Sequence, residues 1–199
     1  PFRSAPPTAL VSTIDITDAG TVVSLNTVTL DISAHTWVGD LVVTVTAPNG
    51  DTAHVIARAG ATGGPPGDSS DAAGVYVFQN APTSPTFSGA AVAAAGVVPP
   101  GTYGRETTIV GPPAADPDDF TVFDGDPVTG TWTLTVEDWC AADTGDLGSW
   151  SLDITVSGGE PCPEDIDNSE AGLKSSLLDN RHAAEATYFW MSHDGVVLS

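Results

Sequence analysis

Thr129-Gly130-Thr131-Trp132-Thr133-Leu134-Thr135-Val136-Glu137-Asp138 and, a few residues on, Asp146-Leu147-Gly148-Ser149-Trp150-Ser151-Leu152-Asp153-Ile154-Thr155-Val156 decide the fold. In the first run Trp132, Leu134 and Val136 alternate with Thr131, Thr133 and Thr135. In the second Trp150, Leu152, Ile154 and Val156 alternate with Ser151, Asp153 and Thr155. A period of two marks a strand with one buried and one wet face. Thr, Val, Ile and Trp are the residue types that suit a pleated surface. The two runs are therefore long strands, joined by an acidic link that contains Gly145.

Working outward, the same alternation recurs in shorter pieces. A first strand is predicted near Val11–Ile16 and a longer one over Thr21–Ile32, with Val28, Leu30 and Ile32 on one side. A third runs from Leu41 to Ala47 and returns as Thr52–Ala57 through Pro48-Asn49-Gly50-Asp51. Asn-Gly supplies the positive φ angles that a tight turn needs. Ala59 to Gly74 reads as a surface loop, Val75–Gln79 as a short strand, and Ala81–Gly104 as a crossing between sheets. Many short strands with turn signals between them predict an all-β protein, a jelly-roll β-sandwich.

Several motifs in this order resemble one family. They are His35-Thr36-Trp37-Val38-Gly39-Asp40-Leu41, Ala47-Pro48-Asn49-Gly50, Tyr76-Val77-Phe78, Pro99-Pro100-Gly101-Thr102-Tyr103, Phe123-Asp124-Gly125-Asp126-Pro127, and the two closing strands. Together they are similar to the P domain, or Homo B domain, that follows the subtilisin-like catalytic domain in kexin- and furin-type proprotein convertases and occurs in many bacterial secreted proteins. The resemblance spans residues 11–157. It leaves 1–10 as a linker and 158–199 as a C-terminal extension. Gln79-Asn80 stands where Asp-Asp is common in the family, and Trp139-Cys140 interrupts a usually small, polar link. The resemblance implies a non-catalytic, extracellular accessory domain that stabilises or regulates a subtilisin-like partner domain, and it implies calcium.

Composition limits the alternatives. The chain has 199 residues, and 26 acidic against 5 basic side chains give a formal net charge of −21. Such a surface repels nucleic acid and anionic lipid. No apolar run approaches the roughly 18 residues that would span a membrane. The chain opens on Pro1 and its one methionine is Met191, so a mature product or an excised fragment is expected. Two cysteines, Cys140 and Cys162, would form one disulfide in an oxidising compartment; two unpaired thiols are the alternative.

Candidate chemistry follows from the carboxylates. Calcium takes six to eight oxygen ligands, which favours acidic loops at strand ends. Asp124 with Asp126, then Asp138, Asp143 and Asp146, and Asp68 with Asp71 qualify, with Asp40 joining across the sandwich end; a solvated acidic rim is the plain alternative. Catalysis has no motif. Gly148-Ser149-Trp150 lacks the glycine of a nucleophile elbow, and Asp143-Thr144-Gly145 lacks the buried run that precedes an aspartic-protease signature. His35 is expected to be hydrogen-bonded within a structural corner. Trp37, Trp132 and Trp150 are expected in the core. Trp139, expected to be exposed beside carboxylates, would suit a carbohydrate-binding jelly roll, and a free-standing adhesion or self-assembling filament module is a further reading.

In the extension, Asp165, Asp167 and Ser169 begin a dockerin-like calcium loop. Glu170 and Ser176 stand where its glycine and closing glutamate belong, so the loop is degenerate. Leu173, Leu177 and Leu178 suggest a short helix, and Tyr188-Phe189-Trp190-Met191 is apolar.

Overall fold

A computed structural model describes residues 9–62, 67–80, 85–106, 119–140 and 143–158, and the backbone of 184–187 and 197–198. The strands are β1 (Leu10–Ile16), β2 (Thr21–His35), β3 (Leu41–Thr46), β4 (Thr52–Ala57), β5 (Asp71–Gln79), β6 (Val97–Val98), β7 (Gly101–Gly104), β8 (Gly130–Asp138), β9 (Gly145–Ser157), β10 (Ala184–Thr187) and β11 (Val197–Leu198). One helix, α1 (Phe87–Ala93), and two 3-10 turns, Val38–Asp40 and Phe120–Phe123, complete the described elements.

The strands form two sheets. The first is four-stranded in the order β1-β8-β3-β4. The second is seven-stranded, β10-β9-β2-β5-β6, with β7 also on β5 and β11 also on β9. The two sequence runs that decide the fold are thus not a hairpin. β8 pairs with β1 and β3, whereas β9 pairs with β2 in the other sheet. The chain therefore changes sheets between β8 and β9. Alternation is compatible with this: each strand has one apolar face, and the two faces meet across the core.

That core holds Trp132, Leu134 and Val136 from β8, Leu152 and Ile154 from β9, Val28 and Leu30 from β2, and Val43 and Val45 from β3. Trp132 is 0 % exposed. Its indole N–H donates to the Val128 carbonyl at 2.9 Å, and its ring meets Phe123 edge-on at 5.3 Å. A buried indole needs such an acceptor.

Three expectations are corrected. The segment Ala59–Gly74 is not all surface loop. Residues 71–74 belong to β5, and both Ala59 and Ser70 are buried, because the backbone at 67–70 pairs with 38–39 and 59. The stretch Ala81–Gly104 does not simply cross between sheets. It carries α1, and its two strands both lie parallel to β5 in one sheet. Thr86 caps α1 by accepting from Gly89 N at 3.0 Å. Phe87 then enters an aromatic cluster with Tyr76, Phe78 and Tyr103, at 5.6, 5.3 and 5.5 Å. Finally, β2 runs on to His35. The expected helix and dockerin-like loop lie outside the described residues, as do 1–8 of the linker. β10 and β11 extend the sheet along the free side of β9.

Candidate functional site

β2, β3, β8 and β9 bring their ends together at one corner. β2 ends at His35, Trp37 turns the chain, and the 3-10 turn Val38–Asp40 starts β3. Trp37 has φ 65 and ψ 68, a left-handed conformation that a bulky side chain seldom adopts. It persists because its neighbours are tied on both sides. Val38 N donates to Ser70 O at 2.8 Å and Gly39 N to Asp68 O at 3.0 Å.

Inside this corner lies a buried charged group. His35, Asp40, Arg58 and Asp138 are all buried. Arg58 Nη2 stands 3.6 Å from Asp40 Oδ1, and His35 Nε2 stands 4.0 Å from Asp138 Oδ2. Asp138 Oδ1 accepts from Cys140 N at 3.1 Å, and Trp139 N donates to Asp40 O at 3.1 Å. The Arg58 guanidinium sits 6.0 Å from the Trp139 ring centre. Burial pushes the Asp40 carboxyl up, against the Cys140 and Arg58 contacts that pull it down. Burial and the Asp40 carboxylate push the Cys140 thiol up to about 11, so it stays protonated.

Burial likewise holds His35 below its ordinary range, against the pull of Asp143. Neither ring nitrogen makes a well-formed hydrogen bond among the described residues, and only a weak contact with the Thr36 backbone joins Asp143 in opposing burial, so the corner histidine is bonded less tightly than expected. The folded state favours the neutral ring. Its contribution is therefore complete above the unfolded pKa of about 6.5 and is lost as pH falls through the lower folded value. Urea midpoints measured from pH 8 to 5 are expected to fall below about pH 6.5. The His35→Gln variant is expected to fall less steeply; parallel curves would remove His35 as the cause.

The expected carboxylates divide between the two ends of the sandwich. Asp40, Asp138, Asp143 and Asp146 lie at the corner, where Asp143 Oδ1 accepts from Thr36 Oγ1 at 3.2 Å. Asp146 Oδ1 is buried there with no hydrogen bond. Asp124 and Asp126 lie at the other end, where Val22 N donates to Asp126 O at 2.8 Å. Asp126 Oδ2 is buried without a partner, and its carboxyl is pushed up by desolvation, against a hydrogen bond from Asn49. Among the described residues no three His, Cys, Asp or Glu side chains are grouped to hold one ion, so Asp138, Asp143 and Asp146 are not the trio their spacing suggests.

Two tryptophans exchange their expected places. Trp139 is 4 % exposed, packed with Val42 and Ala57, and offers no ring to a sugar. Trp37 is 36 % exposed instead of filling the core, while Trp132 and Trp150 are buried as expected. The Cys140 sulfur lies against Asp40, and the partner expected for it in a disulfide, Cys162, falls outside the described residues. Arg58 escaped the sequence reading. Its signal was scarcity: a lone cation ending an apolar strand in a chain this acidic has a buried carboxylate as its natural partner.

Residues 115–154 match the family model of the proprotein convertase P-domain. Two solved structures are similar to the chain. One is an Aeromonas sobria serine protease in complex with the chaperone ORF2, at 20% identity over 75% of this chain and 18% of that one, with a TM-score of 0.34. The other is the serine protease of Aeromonas sobria, at 18% identity over 75% and 23%, with a TM-score of 0.28. The chain thus spans less than a quarter of the length of either. No curated protein matches.

Proposed function

Because its closing strands match the proprotein convertase P-domain, we propose that this chain is a non-catalytic accessory domain of a secreted protein, packed on a subtilisin-like catalytic domain. The observation that carries this is the family match over 115–154, which coincides with the turn Phe120–Phe123, β8 and the greater part of β9. A rigid sandwich of this kind acts by contact. Any partner state that buries surface against it is stabilised relative to states that do not.

Calcium belongs to the proposal as a stabilising ligand. The buried, unpartnered oxygens of Asp126 and Asp146 support it, one at each end of the sandwich. Since the described carboxylates do not gather in threes, such an ion would complete its shell from backbone carbonyls and water.

One experiment tests both parts. The parent protein is expressed with and without this segment, and peptidase half-life is followed during heating in EDTA and with calcium restored. Loss of the segment is expected to shorten the half-life at least about tenfold. Calcium at a hundred times its Kd is expected to add about 2.7 kcal/mol to the isolated chain, unmatched by magnesium. A parent without a catalytic domain, or a half-life indifferent to the segment, overturns the docking reading. A melting temperature indifferent to calcium overturns the calcium reading alone.

A further inference from the structure

We propose that the face formed by Trp37, Asp71, Val97, Asp68 and Val92 is a docking surface for a basic, partly aliphatic segment of a partner protein. This deepens the accessory-domain reading and rests on it for the partner's identity, though not for the existence of the surface.

Separate elements converge here. Trp37 N donates to Asp71 Oδ1 at 3.4 Å. Asp71 N donates to Gly96 O at 2.6 Å, and Asp71 pairs with Val97 across β5 and β6. On the other side Ser70 N donates to Asp68 Oδ1 at 2.9 Å, and Ser70 Oγ donates to Ala91 O at 3.0 Å, which brings the end of α1 and Val92 alongside. Trp37, Val97 and Val92 are 36 %, 48 % and 63 % exposed. Three exposed apolar residues are thus tied to the segments that carry the two carboxylates.

Charge selects the occupant. Arg58 and Arg105, the basic side chains among the described residues, are both buried, so no lysine or arginine there meets Asp68 or Asp71 on the surface. Trp37 is partly exposed and its backbone N–H holds the Asp71 carboxylate. An incoming guanidinium or ammonium therefore has both a tryptophan ring and a carboxylate to engage here, the pair of groups that serves a cation–π contact and an ion pair. Its aliphatic stem would cover Val97 or Val92. An acidic or anionic partner is repelled by the net charge of −21. Tryptophan is also the residue type most often found to dominate an interface.

Trp37 further permits an unusually clean test. Glycine accepts φ 65 without strain, so Trp37→Gly removes the ring and relieves the backbone together. The probe is an acetylated, amidated peptide of four Arg-Leu repeats, titrated into the full chain by calorimetry at about 0.15 M salt, where diffuse attraction is largely screened. Saturable binding is expected, with none for the Glu-Leu counterpart. Trp37→Gly is expected to bind at least about tenfold more weakly while melting no lower than the parent. Asp71→Asn is expected to lose about threefold, and Asp18→Asn, at the far end, to lose nothing. Unchanged binding by Trp37→Gly, or equal losses for Asp18→Asn and Asp71→Asn, would reduce the effect to general charge attraction and overturn the proposal. Either result is independent of whether the parent proves to contain a protease.

Discussion

Trp132→Ala is expected to lower the unfolding free energy by about 3–5 kcal/mol, a large part of the roughly 5–15 kcal/mol that holds a domain folded. The ring is fully buried between the sheets and touches Phe123 at 5.3 Å. Truncation leaves a cavity enclosed by β-strands, which relax less readily than a loop, and it leaves the Val128 carbonyl without the indole donor now 2.9 Å away. Trp132→Phe separates these losses. It keeps an apolar ring but removes the donor and some volume, and about 1–2 kcal/mol is expected. Urea denaturation followed by near-ultraviolet circular dichroism measures both. If Trp132→Ala moved the stability by less than about 1 kcal/mol, the two-sheet core described above would be wrong.

Trp132 also shows what sequence can carry. Period-two alternation says which side of a strand is buried, and it was right for β8 and β9, because burial acts residue by residue. It does not say which strand lies next door. β8 and β9 follow one another closely, yet they sit in different sheets, and nothing in an acidic, Gly-containing connection distinguishes a change of sheet from a turn back within one. α1 was hidden for a related reason. Phe87–Ala93 is rich in alanine and glycine, with too few apolar anchors to show a helical period, and tertiary contact of Phe87 with the aromatic cluster supplies what the pattern lacks.

The corner was harder to read. Trp37 and Trp139 each stand beside acidic residues, and composition gives no ground for telling an exposed ring from a buried one. Trp139 is covered because Arg58, four strands earlier in sequence, ends β4 beneath it. Trp37 is turned outward because its own backbone is left-handed. Both causes are long-range or conformational, and neither leaves a local period. The carboxylate grouping failed similarly: spacing in a link fixes how far apart residues can be, not whether they converge.

Gly39→Ala is expected to be among the most damaging single-methyl additions in the described chain, with a loss of about 3 kcal/mol or more. A Cβ there would lie 2.3 Å from Asp68 N and from the Gly67 carbonyl carbon, and 2.4 Å from Gly67 Cα. All three are backbone atoms, so no side chain can swing aside. Retreat is also blocked, because Gly39 N donates to Asp68 O at 3.0 Å, Gly67 N to Gly39 O at 3.2 Å and Asp68 N to Ala59 O at 2.7 Å. Separating the two backbones would break that ladder and leave its polar groups without partners. The consequence reaches function, since this contact sets the position of Asp68 and holds Trp37 outward. Gly39→Ala should therefore lose the Arg-Leu peptide together with stability, in contrast to Trp37→Gly, which loses the peptide and remains folded. Gly148→Ala is the control. Its nearest neighbour would be Ser33 Oγ at 3.3 Å, a small side chain able to turn, and a change within about 1 kcal/mol is expected. If Gly39→Ala melted like Gly148→Ala, the 38–39 and 67–70 backbones could not be in contact, and the docking surface built on them would have to be given up.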